Sequence, residues 1–118
     1  MQFSVRFYDD AYGNKPVLAF LEGLRKQDRV VHKIVVAGIK MLEEGELHGP
    51  PPTALIDQQE VFFELRVGCE NIAHVFFFFG QGLELILTHG SLKKQQKVDA
   101  RELERARTYK KDWKRRHL

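Results

Sequence analysis

The run Gly49-Pro50-Pro51-Pro52 constrains the fold of this 118-residue chain more than any other stretch. Three consecutive prolines lack amide donors and fix their own φ angles, so neither a helix nor a central strand continues through them. The run therefore predicts a boundary between two kinds of secondary structure. A chain of this length is expected to form one domain, residues 1–118, with a single functional surface as the default.

Before the prolines the sequence predicts one strand and two helices. Apolar and polar residues alternate over 3–8, which is the period of a strand with one buried face. A turn over 9–14 follows, and a helix capped near Asn14 has Pro16 in its first turn. A second helix is predicted from about residue 28 to 44, although its β-branched residues could also be read as a strand. The N-terminal half is therefore expected to be a strand followed by a helical hairpin.

After the prolines the sequence predicts three strands. Val61–Val67, Ile72–Phe79 and Leu83–His89 are apolar segments joined by short glycine-containing links. Their lengths and spacing are typical of an antiparallel meander of hairpins. Alternation within the first strand places Arg66 on its outer face, and His74 precedes the aromatic run of the second.

The last segment, from Asp99 to about residue 116, has the pattern of a helix with a thin apolar edge. Asp99 has the spacing of an N-cap, with Glu102 reaching back to it. The predicted order is thus β-α-α-β-β-β-α. This order defines an α+β fold in which a small, twisted, mainly antiparallel sheet packs against the helical hairpin, with a basic C-terminal helix.

Positive charge is concentrated at the end of the chain. Residues 93–118 carry eleven Lys or Arg and four Asp or Glu, whereas the formal net charge of the whole chain is only +3. Clustered cations favour phosphate-rich partners because binding releases condensed counterions. The segment is therefore either an ordinary solvated helix or a contact surface for nucleic acid. The candidates for RNA contact are Lys97, Arg101, Arg105, Lys110 and Lys111.

Cysteine usage and hydropathy exclude several other classes of protein. Cys69 is the single cysteine, so the chain has no disulfide framework and no thiolate metal site. No His, Cys, Asp or Glu residues have the spacing of metal ligands, and neither a metal nor a cofactor is expected. The longest apolar run, Val75–Phe79, is far too short to span a bilayer, and the first ten residues are not a signal sequence. We therefore expect a cytoplasmic protein with no membrane association.

Three short motifs, taken together with the element order, are similar to a known family. Glu64-Leu65-Arg66, His89-Gly90 and Lys93-Lys94-x-Gln96-Lys97 resemble the RelE/ParE toxin superfamily, in particular its phage-derived, HigB-like branch. Glu102 and Ala106 also fit the final helix of that branch, and the similarity spans nearly the whole chain. The sequence departs from the pattern of the branch at His74, where Arg is usual, and at Phe77, Ser91 and Asp99.

The resemblance implies the toxin of a type II toxin-antitoxin system. Such a protein would be a ribosome-dependent mRNA endoribonuclease, or mRNA interferase, that inhibits translation and arrests growth. The implied partners are the ribosome, mRNA and a cognate helix-turn-helix (HigA/Xre-like) antitoxin, with operator DNA reached only through that antitoxin. Two alternatives remain open: a ParE-like toxin that inhibits DNA gyrase, and a non-catalytic nucleic-acid-binding remnant of a mobile element.

RNA cleavage of this kind sets its own chemical requirements. The 2′-OH is the nucleophile, so the site must accept its proton, protonate the leaving 5′-oxygen and stabilise negative charge at the phosphorane, all without a metal. Arg66 is the candidate phosphate clamp. Lys93 and Lys94 are candidates for charge stabilisation, and either could be a base if its neighbour lowers its pKa. His74 and His89 are candidates for proton transfer. If both histidines are structural, cleavage would depend on the basic residues and on orientation by the ribosome.

Overall fold

A computed structural model of the protein describes residues 2–46, 53–57, 61–68, 71–93 and 99–117. The proline run, Cys69, Lys94 and Lys97 lie outside these ranges. The described residues form an α+β fold with an N-terminal helical hairpin, as predicted. The elements in chain order are β1 (Ser4–Phe7), α1 (Pro16–Gln27), α2 (Arg29–Glu43), β2 (Thr53–Asp57), β3 (Phe62–Gly68), β4 (Ile72–Phe79), β5 (Glu84–Lys93) and α3 (Ala100–His117).

The described strands form one sheet in the order β1-β5-β4-β3-β2. β1 pairs with β5 in parallel, and the other three pairs are antiparallel, so the prediction of a mainly antiparallel sheet is confirmed. The sequence did not predict β2. This strand has five residues and lies at the edge of the sheet, so its conformation depends on pairing with β3 more than on its own pattern.

The two hairpin helices start in different ways. The predicted cap of α1 near Asn14 lies one residue later, at Lys15, which makes no side-chain cap hydrogen bond. The Asn14 side chain donates instead to Asp10 Oδ2 at 3.0 Å. Pro16 begins the helix with a φ angle that is already suitable. Asp28 caps α2 by accepting a hydrogen bond from the Val31 amide at 3.2 Å. The helical reading of this second segment is therefore confirmed.

The sheet is covered on both sides. On what we call the hairpin face, α1 and α2 pack on Leu65, Ala73, Val75, Phe77, Leu85 and Leu87. On the opposite side, the α3 face, the C-terminal helix packs through Ala106 and Trp113 on Phe62, Phe76, Phe78 and Ile86. None of the helices in the described ranges has the length and apolar character needed to cross a membrane.

Candidate functional site

The α3 face changes from apolar to polar along its strands. Alternation places the side chains of Glu64 and Arg66 in β3 on the same side as Phe62. The backbone register aligns Arg66, His74 and Ser91 across β3, β4 and β5, and it aligns Glu64, Phe76 and His89 in the next row. One end of this face therefore carries five polar side chains, which we call the polar cluster: Glu64, Arg66, His74, His89 and Ser91.

Glu64 is the anion at the centre of the polar cluster. Its side chain is fully buried, and Oε1 accepts hydrogen bonds from Arg66 Nε at 2.9 Å and from Arg66 Nη2. His74 Nδ1 lies 2.8 Å from the other carboxylate oxygen. Burial alone would raise the pKa of Glu64, but the hydrogen bonds from His74 and Arg66 outweigh it and lower the pKa below its ordinary value. Glu64 is therefore ionised at neutral pH and holds two donors at once.

Arg66 presents the part of its guanidinium that Glu64 does not use. The bonds to Glu64 use Nε–H and one N–H of Nη2. The other N–H of Nη2 and both of Nη1 point away from the carboxylate. The side chain is 29% exposed, which agrees with the outward position expected from alternation. Arg66 is thus a cation of fixed orientation that a phosphate group can approach from solvent.

His74 is buried, in contrast to Arg66. Its side chain is 1% exposed, and because Glu64 is ionised, Nδ1 must carry the proton that it donates. The other ring nitrogen, Nε2, is buried, as is the hydroxyl of its cross-strand neighbour Ser91, and neither atom has a hydrogen-bond partner in the described part of the chain. Buried polar atoms of this kind are normally satisfied by a water molecule or a ligand.

His89 connects the sheet to α3. Its Nε2 lies 2.8 Å from Glu102 Oε2, and its Nδ1 lies 3.1 Å from Thr88 Oγ1. Burial lowers the pKa of His89 to about 4, although the Glu102 carboxylate opposes this shift, and the Arg105 cation adds to it. The ring is therefore neutral near pH 7, with Nε2 donating to Glu102. Glu102, expected to reach back to the helix cap, contacts this ring and ties the first turn of α3 to β5.

The lysines of the predicted site are only partly described. Lys93 is the last residue of β5, and its backbone pairs with Ile72, two positions beyond the row that contains Ser91. Lys94 and Lys97 follow outside the described ranges. The structure thus brings Arg66, His74 and the end of β5 to the same end of the sheet, and the catalytic roles of the lysines stay predictions.

The basic residues of α3 divide into exposed and buried ones. Arg101, Arg105 and Lys111 are exposed, as a contact surface for nucleic acid requires. Lys110 is only 9% exposed, and its Nζ lies 5.0 Å from the ring centroid of Phe62. Contrary to the prediction, it is therefore not part of the exposed surface of α3. Its long apolar stem reaches over the apolar half of the α3 face, and the aromatic rings stabilise the ammonium group.

Sequence reasoning missed several members of this site. Glu64 was recognised only as part of a motif, although it lies two residues before Arg66 on the same face of a strand, and this spacing brings a carboxylate beside a guanidinium. Ser91 and Thr88 gave no such signal, because their positions depend on the pairing of β4 with β5. Among the described residues, no three His, Cys, Asp or Glu side chains come together where they could hold a metal ion.

A small α+β domain with a basic final helix and an anchored arginine on its sheet agrees with the toxin-like class predicted from the motifs. The model of a family described as phage-derived protein Gp49-like (DUF891) matches residues 22–111. The chain therefore belongs to the Gp49-like family, which is of the RelE/ParE-like toxin type. No curated protein matches the chain. The assignment to a HigB-like branch stays a prediction.

Proposed function

We propose that this protein is the toxin of a type II toxin-antitoxin system and that it cleaves mRNA on the ribosome. Membership of a toxin-like family supports the first part of the proposal. One structural observation supports the second: the Arg66 guanidinium is fixed by the buried, ionised Glu64, and its side chain is 29% exposed. A preorganised cation of this kind suits the charge that develops on a phosphorane.

Within this proposal the cations and the histidines have different roles. Arg66 binds the scissile phosphate, while Lys93 and Lys94 stabilise charge and transfer protons. His74 and His89 are each 1% exposed and bonded to a carboxylate, so we assign them to positioning. His74 holds Glu64, which holds Arg66, and His89 holds the first turn of α3. Cleavage would then depend on basic residues and on a substrate oriented by the ribosome.

The exposed cations of α3 are suited to bind ribosomal RNA and an antitoxin. Arg101, Arg105 and Lys111 would contact ribosomal RNA together with Lys97, giving an affinity that falls as salt rises. A helix-turn-helix antitoxin would neutralise the toxin by covering its cationic surface, and opposite charge would speed that encounter.

Inducible expression in cells, followed by mapping of new 5′ ends on a translated message, tests the proposal. We expect cuts that disappear when translation is blocked and that fall about a hundredfold or more in the Arg66→Ala variant. Arg25→Ala is the matched control, because Arg25 also pairs with a glutamate, Glu22, but on the exposed surface of α1. Growth arrest with intact messages would contradict the proposal and favour a protein target such as gyrase. Absence of arrest would favour a remnant that only binds nucleic acid.

A further inference from the structure

A cleft lies between the turn over residues 9–14 and the outer side of α3. It has a volume of about 470 Å³, which is within the range of small-molecule sites. None of the described residues that line it belongs to the polar cluster, so it is a separate feature of the molecule. The aromatic and charged residues that line it are Tyr8, Asp10, Tyr12, Tyr109, Lys111, Asp112 and Arg115.

The turn holds an aromatic ring out in solvent. Tyr12 is 91% exposed, the highest value among the large apolar and aromatic side chains described. The backbone beneath it is nevertheless well fixed, because the Asp10 carboxylate accepts hydrogen bonds from the amides of Tyr12 and Asn14, both at 2.9 Å. Gly13 closes the turn at a φ of +85°, a conformation that glycine adopts without strain. An ordered turn thus presents a ring that contributes little to the core.

The floor of the cleft is also aromatic. Tyr8 and Tyr109 stack with their ring centroids 4.5 Å apart. The Tyr8 hydroxyl donates to Asp112 Oδ2 at 2.7 Å, and this contact is the main cause that lowers the pKa of Asp112 to about 2. Because these groups are already bonded to one another, the floor is formed before any ligand arrives.

The rim of the cleft carries charges of both signs, with Asp10 on the turn and Lys111, Asp112 and Arg115 on α3. Lys111 is exposed, and the Arg115 side chain is 76% exposed. Arg115 lies 2.5 Å from Asp112, whose charge is also offset by Arg116 at 2.9 Å. Two arginines thus neutralise the Asp112 carboxylate, and the Asp10 carboxylate is occupied by its hydrogen bonds to the amides of the turn. Phosphate groups that pass along this side of α3 would meet cations on both sides of Asp112.

We propose that this cleft binds an unpaired base of a single-stranded nucleic acid. The Tyr12 ring stacks on the base, and Lys111 and Arg115 contact the neighbouring phosphates. Stacking on an aromatic ring accepts any base, and a duplex hides its base faces, so the cleft selects single strands over duplexes. This inference goes beyond the proposed function, because it requires neither cleavage nor the ribosome.

Fluorescence anisotropy with a labelled single strand of about ten nucleotides tests the inference directly. We expect Tyr12→Ala to weaken binding of the RNA by about tenfold and Tyr12→Phe to keep most of it, since the ring is what stacks. Because Tyr12 is so exposed, neither variant should lower the melting temperature. Val30→Ala is the matched control: Val30 is 65% exposed on α2, away from the cleft, and its truncation should leave binding unchanged.

Further binding measurements identify which parts of the nucleic acid the cleft recognises. A DNA strand of the same sequence that binds equally well supports recognition of base and phosphate alone, whereas a preference for RNA adds a contact to the ribose. When Arg66→Ala is already present, Tyr12→Ala should still weaken binding by the same factor, which separates this inference from the proposed nuclease. Unchanged affinity in Tyr12→Ala would overturn the inference and favour contact of Tyr12 with a protein partner instead of a base. Equal affinity for a duplex and a single strand would overturn it as well.

Discussion

The two faces of the sheet are made by alternate residues of the same strands, yet they differ in chemistry. The hairpin face is apolar throughout β3, β4 and β5, where it carries Leu65, Val75, Phe77, Leu85 and Leu87. The α3 face is apolar only at the end covered by Ala106 and Trp113, and at its other end it carries the polar cluster.

This difference separates the residues that stabilise the fold from those of the candidate site. Burying apolar area on the hairpin face gives a favourable free energy of folding, while a buried anion such as Glu64 costs free energy unless its partners are in place. Perturbed ionisable groups of this kind are common at functional sites. Substitutions on the two faces should therefore change different measured quantities, and four experiments test that separation.

The largest effect is expected on the hairpin face. Phe77 is 3% exposed and stacks on Phe63 with ring centroids 5.6 Å apart. Phe77→Ala should lower the free energy of unfolding by about 4 kcal/mol, because it removes a buried ring and leaves a cavity. Urea denaturation measures this loss. Phe79→Ala in the same strand is the control: Phe79 is 43% exposed and should lose much less. Equal losses would contradict the account of the core.

A somewhat smaller loss is expected when the anion of the polar cluster is removed. Glu64→Gln should lower the free energy of unfolding by about 3 kcal/mol, because Arg66 loses its buried counter-ion and an NH2 group replaces one of the two acceptor oxygens. Glu84→Gln is the control, since Glu84 pairs with Arg6 at 3.0 Å on a more exposed part of the sheet and such pairs contribute little. Equal losses in the two variants would contradict a stabilising role for the buried Glu64 anion.

Much of the fold could be predicted from the sequence because local patterns encode it. Alternation identified β1, β3, β4 and β5, and helical spacing identified α1, α2 and α3. Strand order was less accessible, since the parallel pairing of β1 with β5 joins residues about eighty positions apart. β2 was missed because a short edge strand takes its conformation from its neighbour.

The candidate site was predicted less well than the fold, for a physical reason. Alternation shows that Arg66 and His74 share a face, but not that α3 would cover part of that face. A helix as polar as α3 predicts mostly a solvated or RNA-binding surface, so Lys110 is among the residues predicted to contact RNA. In the structure its ammonium lies over aromatic rings. Which polar residues become buried depends on tertiary packing, which no local pattern records.

The third experiment follows the pH dependence of stability. The folded-state pKa of His89 is about 4, below its ordinary value of 6.5. Between these values the unfolded chain binds a proton at His89 that the folded chain does not, so stability present above about pH 6.5 is lost as the pH falls toward 4, by up to about 3 kcal/mol. His89→Gln retains a donor for Glu102 but does not titrate. Its stability should therefore fall less steeply over this range, and parallel curves would contradict the neutral state of His89.

The smallest effect is expected at the floor of the cleft beside α3, where Tyr8 is buried but its partner Asp112 is partly exposed. Tyr8→Phe removes the hydroxyl and keeps the stacked ring, so it should cost only about 1 kcal/mol. It should also raise the pKa of Asp112 from about 2 toward its ordinary value, because the Tyr8 hydrogen bond is the main cause of the depression. Carboxyl NMR titration measures this change. Tyr12→Phe is the control and should alter neither quantity, since Tyr12 is 91% exposed. An unchanged pKa of Asp112 in Tyr8→Phe would mean that the two arginines alone depress it, and that the α3 side of the cleft does not depend on the Tyr8 hydroxyl.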